Sequence, residues 1–308
     1  MTVSRALHNS TLVSATTRQA IQALARKHGY RPNISARNLR LRRSDVIAVI
    51  VEMEPSVDRP MSGPYPLEIL GGICQEVTTT GYSLMLTTLQ HWSAESTHHA
   101  DAVILLGQGA HDTAAQSLNT AGIPFVVWGA RRPGGPYVVV GSDNRHSGVL
   151  AAERLLSLGR KRVVFLGDIT HPELADRHEG FLTTLRAAGA KLVACVPTAF
   201  TFAAGVAATE ALLNQRDSRF DGLFACNDLL AMGATRSLIE HGRRVPEDVS
   251  VIGHDDTPAA AGFVPPLTSV HQNWSDGGVL LARKILELID GRRADSEQLP
   301  TRLIVRAT

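Results

Sequence analysis

From Asp45 to its C-terminal end the chain alternates short apolar runs, rich in β-branched residues, with longer amphipathic stretches. The runs are VIAVIV (46–51), YSLMLT (82–87), AVILL (102–106), IPFVVW (123–128), YVVVG (137–141), RVVFLG (162–167), LVACV (192–196), GLFAC (222–226), VSVIG (249–253) and RLIV (302–305). Runs without polar alternation predict strands buried on both faces, as in a parallel sheet flanked by helices. Stretches such as RHSGVLAAERLLSLG, RHEGFLTTLRAAG and DLLAMGATRSLIEHG keep helical spacing and close on glycine, which accepts the left-handed turn that ends a helix. Ten strands exceed the common size of one open sheet, so the pattern predicts two sheets and two α/β lobes.

The first 44 residues have no strand-like run. Ser14 is placed to cap a helix running through Ile21, Leu24 and Ala25 to a stop at Gly29, with Arg26, Lys27 and His28 in its last turn. TVSRAL before it and NISARNLR after it read as two further short helices.

Charge separates these two parts. The chain has 31 basic and 29 acidic residues, a formal net charge of +2. Residues 1–44 hold nine basic residues (Arg5, Arg18, Arg26, Lys27, Arg31, Arg37, Arg40, Arg42 and Arg43) and no acidic one, which leaves the body formally at −7. A basic segment on an acidic body is the footprint of a polyanion partner. With 44% hydrophobic and 19% charged residues, the composition excludes a disordered polar chain. No apolar run reaches the ~18–20 residues of a membrane span, and MTVSRALHNS lacks the apolar region of a signal peptide, so a soluble, cytoplasmic protein is expected.

In open α/β sheets ligands bind beyond the carboxyl ends of strands. The polar residues there are Asp143, Asn227 with Asp228, and Asp255 with Asp256. Each of Asp143, Asn227 and Asp228 is equally placed to cap the helix that follows it. Neighbours on an extended chain point in opposite directions, so Asp255 and Asp256 form no catalytic dyad: one faces the pocket and the other the backbone or a cap. GQGAHD after AVILL lacks the third glycine of a dinucleotide loop. His98 and His99 lie in a polar stretch and read as surface residues, and Cys74, Cys195 and Cys226 as core residues without metal-ligand spacing. No nucleophile elbow, phosphate loop or metal-binding helix motif is present, so neither an enzyme nor a cofactor is expected.

TVSRAL followed by VSATTR and GYRPNISARNLR resembles the DNA-binding headpiece and hinge of the lactose/galactose repressor (LacI/GalR) family. SDNRHSG, the RHEGF helix start, LFACNDLLAMG, VPEDVSVIGHDD, PPLTSVHQ and LPTRLIVR continue that family's pattern in order over nearly the whole chain. The resemblance implies a helix-turn-helix and hinge over 1–44 and a periplasmic-binding-protein-like effector domain over 45–308. The first lobe is expected at about 45–155 and 275–298, the second at about 156–274 and 299–308. It implies that Thr2, Ser4 and Arg5 contact phosphates or base edges in the major groove, that Asn33, Ala36 and Leu39 belong to the minor-groove hinge helix, and that Leu39 is the wedge. It places Asp143, Arg177, Asn227 and Asp255 on the effector pocket, Phe200 as the aromatic that stacks on a sugar ring, and Tyr65 and Gln272 as further contacts.

The function implied is a repressor that binds double-stranded operator DNA as a homodimer under control of a sugar or sugar derivative, with a purine as the rival ligand. Two departures from the pattern carry their own expectations. The family's headpiece has an additional helix before TVSRAL, so either the start lies upstream of Met1 or the chain is a truncated, DNA-binding-deficient solute-binding module. Only SAESTHH separates TTLQHW from ADAVIL, so a shortened or rearranged lobe edge is expected there.

Overall fold

The computed structural model describes residues 2–7, 9–30, 43–53, 56, 60–92, 100–109, 112–132, 135–215 and 219–308, without the side chain of Ser4. Asn33, Ala36, Leu39 and the expected hinge helix, like His98 and His99, lie outside the described residues. The chain divides into two units, Met1–Asp45 and Val46–Thr308.

In the first unit, α1 (Thr2–Leu7) and α2 (Ala15–Lys27) form the two helices expected. Ser14 caps α2 by accepting from the Thr17 amide at 3.3 Å. The helix ends as its glycine predicts: Gly29 takes φ +62°, and the Tyr30 amide reaches back to the Ala25 carbonyl at 2.9 Å. Between the helices Gln22 Nε2 donates to the Ala6 carbonyl (3.1 Å) and to Asn9 Oδ1 (2.8 Å), while Ala6 and Val13 fill the small interior. None of the α2 residues is buried, and Leu24 is 59% exposed.

The second unit holds two six-stranded sheets. The elements of the first lobe are β1 (Val46–Val51), α3 (Pro64–Val77), β2 (Ser83–Thr88), a 3-10 turn (Leu89–His91), β3 (Ala102–Leu106), α4 (Thr113–Thr120), β4 (Phe125–Trp128) and β5 (Val138–Ser142). Those of the second are α5 (Asn144–Ser157), β6 (Arg162–Leu166), α6 (Pro172–Ala187), β7 (Lys191–Val196), α7 (Phe202–Leu213), β8 (Gly222–Ala225), α8 (Asp228–Glu240), β9 (Ser250–Asp255), α9 (Pro258–Gly262) and β10 (Thr268–His271). The chain then returns to the first lobe with α10 (Trp274–Ile289) and β11 (Glu297–Leu299), and ends in the second with β12 (Arg302–Ile304).

The first sheet runs β11-β5-β4-β3-β1-β2, parallel throughout. The second runs β12-β10-β9-β8-β6-β7, parallel except for β12 against β10. All ten predicted runs are strands; β10 and β11 are additional, and their sequences TSVH and EQL are too short and polar to announce themselves. Burial on both faces is plain in β1, where Ile47, Val49 and Val51 pack towards α3 and α10 while Ala48 and Ile50 pack towards α4.

Two expectations are corrected here. The first crossover between lobes falls at Ser142–Asn144, not near residue 155. Helix α5 packs on the second sheet through Ala151, Ala152 and Leu155, which are fully buried in that lobe's core. It meets α6 at backbone distance, since a Cβ on Gly148 would stand 1.9 Å from the Arg177 carbonyl oxygen. The segment SAESTHH, where a shortened or rearranged lobe edge is expected, lies outside the described residues; β2 and β3 on either side of it pair with opposite sides of β1 and are not neighbours. Among the cysteines, Cys226 is buried and Cys195 half-buried, but Cys74 is exposed on α3 instead of lying in the core.

Candidate functional site

Between the lobes lies a cleft of about 990 Å³, at the upper end of the range for small-ligand sites. The chain passes between the lobes three times beside it, after β5, after β10 and after β11. Strand ends of both sheets face it, so its polar groups are held by the sheets and not by loops alone.

Arg177 on α6 is the central cation, only 7% exposed. Its Nε donates to Asn144 Oδ1 and its Nη1 to the Cys226 carbonyl, both at 2.7 Å. Burial lowers its pKa, opposed first by the negative charge of Asp255. The close approach of α5 and α6 sets this geometry, because it brings Asn144 at the start of one helix within reach of Arg177 on the other.

Asp255 ends β9 in a left-handed conformation (φ 113°). Its Oδ1 accepts from Gln272 Nε2 at 2.7 Å and lies 2.9 Å from His254 Nδ1. His254 is fully buried, and burial drives its pKa well below the ordinary range, so a neutral imidazole donates Nδ1–H to Asp255. Gln272 Oε1 accepts from the Ser142 hydroxyl at 2.7 Å, which joins the first and second crossovers to this strand end. Asp256 points away from the cleft and pairs with Arg306 and with His271 (3.1 Å), so of this pair only Asp255 faces the cavity.

Asn227 caps α8, its Oδ1 accepting from the Leu230 amide at 2.9 Å, and its Nδ2 donates to the Phe200 carbonyl at 3.2 Å. It also lines the cleft, so capping and lining coexist at this residue. Asp228 beside it is buried and accepts from Ser269 Oγ (2.6 Å), the Thr257 amide (2.7 Å) and the Thr257 hydroxyl (2.9 Å). Burial, reinforced by the charge of Asp255, raises its pKa to about 7 despite these donors. Phe200 lines one wall, edge-on to His171 with ring centroids 5.4 Å apart. Tyr65 lines the opposite wall, edge-on to Trp274 at 5.6 Å.

Arg177, Phe200, Asn227, Asp255, Tyr65 and Gln272 are thus brought together on one cavity. Asp143 is not among its lining residues. It caps α5, its Oδ1 accepting from the His146 amide at 2.9 Å, and that bond aims the carboxylate along its own helix; the next residue, Asn144, takes the place in the cleft. Sequence reasoning passed over Glu52, Asn144, Asp168, His171, Glu173 and Trp274, which also line it. Glu52 and Asp168 follow apolar strands directly, so the strand-end rule applied evenly would have found both. Asp168 is held below the ordinary carboxylate range by the amide and hydroxyl of Thr170, whereas burial raises Glu173.

In the other unit, Thr2 and Arg5 are exposed on α1. No helix among the described residues is long and apolar enough to cross a membrane.

Residues 1–33 match the profile of bacterial regulatory proteins of the lacI family, and residues 152–308 match that of the periplasmic binding protein-like domain. The chain is 34% identical to the HTH-type transcriptional regulator CelR of Thermobifida fusca, over 99% of its own length and 93% of that protein's. Among solved structures, a transcriptional regulator CelR–cellobiose complex superposes with a TM-score of 0.78 at 32% identity, covering 99% of this chain and 94% of the other. The lac repressor dimer bound to operator and an anti-inducer superposes at 0.84 with 24% identity, over 100% of this chain and 94% of the other, and so shares its fold. A two-lobed α/β body, a helical N-terminal unit and these matches lead to one conclusion: the chain belongs to the lacI family of bacterial regulatory proteins.

Proposed function

We propose that this protein is a cytoplasmic, homodimeric transcriptional repressor, without enzymatic activity, whose affinity for an operator is set by a sugar or sugar derivative bound between the lobes. The observation that carries the reading is a cleft whose polar groups come from both lobes and from the crossovers between them. A ligand that touches Arg177, Asn227 and Asp255 on one lobe and Tyr65 on the other stabilises one lobe arrangement over another, and only such differential affinity shifts a conformational equilibrium. Carboxylate, amide and guanidinium groups suit vicinal hydroxyls, and Phe200 offers an apolar edge to a sugar ring. The similar CelR structure holds cellobiose, which makes a β-glucoside the first ligand to try.

On the DNA side, Thr2, Ser4 and Arg5 are proposed to meet the major groove, and Asn33, Ala36 and Leu39 the minor groove. The nine basic and no acidic residues of 1–44 supply the phosphate attraction. The alternative is a solute-binding module that does not bind DNA.

A genomic selection on the immobilised protein at low salt, repeated with cellobiose and with other sugars and purines, tests the reading. Recovery of a pseudo-palindromic site whose occupancy falls steeply with salt and changes with one ligand is the expected result. Retention of a sugar without retention of any duplex would select the alternative.

A further inference from the structure

The chemical class of ligand admitted by this cleft follows from its charges, an inference that rests on the effector-site reading above. Five carboxyl groups line the cavity (Glu52, Asp168, Glu173, Asp228 and Asp255), and among the described lining residues Arg177 is the lone lysine or arginine. Arg177 already serves Asn144 and the Cys226 carbonyl. Asp168, Asp228 and Asp255 each accept from neighbouring protein donors.

Glu52 and Glu173 differ from these. Glu52 follows β1, where its amide donates to the Leu106 carbonyl at 3.0 Å, and its carboxylate lies over a bare stretch of backbone. A Cβ on Gly107 would come within 3.3 Å of its Oε2, and one on Gly109 within 3.1 Å of its Oε1. Among the described residues it has no hydrogen-bonding or ionic partner for that carboxylate. Glu173, in the first turn of α6, takes its hydrogen bond from its own amide, and the charges of Arg177 and His171 favour its ionised form. The two therefore look into one cavity from opposite lobes, and their like charges oppose each other across it, Glu52 adding to burial in raising the Glu173 carboxyl against the lowering charges of Arg177 and His171.

We propose that Glu52 and Glu173 are the specificity-determining clasp of the cleft. They accept hydroxyl or ammonium donors of a saccharide that carries no phosphate or carboxylate, and they reject its anionic derivatives. The cavity supplies the site; the two carboxylates set the sign of the charge it admits. A donor-rich ring between them converts a repulsion across the cleft into two acceptor contacts, whereas a phosphate or carboxylate brought there faces like charge with a single, already engaged cation to offset it.

The test is calorimetric titration of the intact protein with cellobiose and other uncharged di- and monosaccharides, beside glucose 6-phosphate, glucuronate and glucosamine. An uncharged or aminated sugar should bind, with anionic derivatives of the same ring weaker by about a hundredfold or more, since juxtaposed like charges in a desolvated site are costly. Glu52→Gln with Glu173→Gln should weaken the uncharged sugar and also shrink the ratio of anionic to uncharged dissociation constants at least ~10-fold; Glu52→Lys should move preference towards the anion. The melting temperature of each variant shows whether it is folded. An anionic sugar binding as tightly as its uncharged parent, or an unchanged ratio in the folded double variant, overturns the charge rule and leaves the sugar reading standing. Silence from every sugar, charged or not, overturns both.

Discussion

Gln272 donates its side-chain amide to Asp255 across 2.7 Å and accepts the Ser142 hydroxyl at the same distance. One buried side chain thereby joins two of the passages between the lobes to the strand end that faces the cleft. Replacing it with methionine keeps the volume but leaves Asp255 and Ser142 each short of a partner. Gln272→Met should lower unfolding free energy by about 1–3 kcal/mol and loosen effector binding. Urea unfolding with and without ligand checks this. A variant as stable and as responsive as the parent would show that the chain of bonds does not report on the lobes.

Arg177 presents two bonds in a fixed planar fork, which a lysine ammonium cannot reproduce. Arg177→Lys keeps the charge and loses the fork, so effector affinity should fall by about 1.5–3 kcal/mol, the scale of hydrogen bonds to charged groups. Titration calorimetry measures it. If affinity is unchanged, the guanidinium serves only to hold Asn144 and the Cys226 carbonyl.

The seat of Arg177 also depends on a residue with no side chain. A methyl group on Gly148 would collide with the Arg177 carbonyl oxygen at 1.9 Å, and backbone cannot swing aside as a side chain can. Gly148→Ala should therefore cost about 1–3 kcal/mol or more by overpacking, and should weaken the effector beyond any stability effect because α6 must shift. By contrast Gly159→Ala meets open space but sits at φ +76°, and should cost only backbone strain, about 1 kcal/mol, with effector affinity intact. Chemical denaturation and ligand titration of both variants distinguish the two mechanisms.

How much of this was legible beforehand depended on the signal each residue leaves in its neighbours. Apolar runs made ten strands readable, including β2, β7 and β12, which are only partly buried; β10 and β11, as TSVH and EQL, are too short and polar to print such a run. Asn227 and Asp255 were found because a strand end points its next residue at the crevice. Asp143 obeys the same rule but gives its side chain to a helix amide, and the cleft is served one position later by Asn144. Spacing cannot tell these apart, since the choice is made by one rotation at the start of α5. Glu173 and His171 lie at the start of α6, where nothing in the sequence marks the direction they face.

In the N-terminal unit, Arg5 is exposed on α1 within a segment free of acidic residues. If it reads a guanine edge, Arg5→Ala should cost about 1–3 kcal/mol at the cognate site and relax discrimination at one position. If it meets phosphate alone, binding should weaken uniformly across sequences and the salt slope should drop by about 1. Fluorescence anisotropy with cognate and scrambled duplexes over a salt series separates the two results, and an unchanged affinity for both would remove Arg5 from the interface.

Asp228 and His254 give the fold opposing pH responses. The carboxyl of Asp228 is raised to about 7, above its value of ~3.9 in an unfolded chain, so between these limits the folded state holds the extra proton and stability falls as pH rises. His254 is lowered well below ~6.5, so the unfolded state holds the extra proton and stability rises with pH up to that value. One proton is equivalent to about 1.4 kcal/mol per pH unit, and between pH ~4.5 and ~6.5 the two slopes offset each other. Asp228→Asn removes the falling contribution. The difference in unfolding free energy, variant minus parent, should climb by up to about 1.4 kcal/mol per unit over that window and level off above pH ~7.5. Urea titrations at pH 4.5, 5.5, 6.5 and 7.5 measure it, and a flat difference would mean that Asp228 is ionised in the native protein throughout.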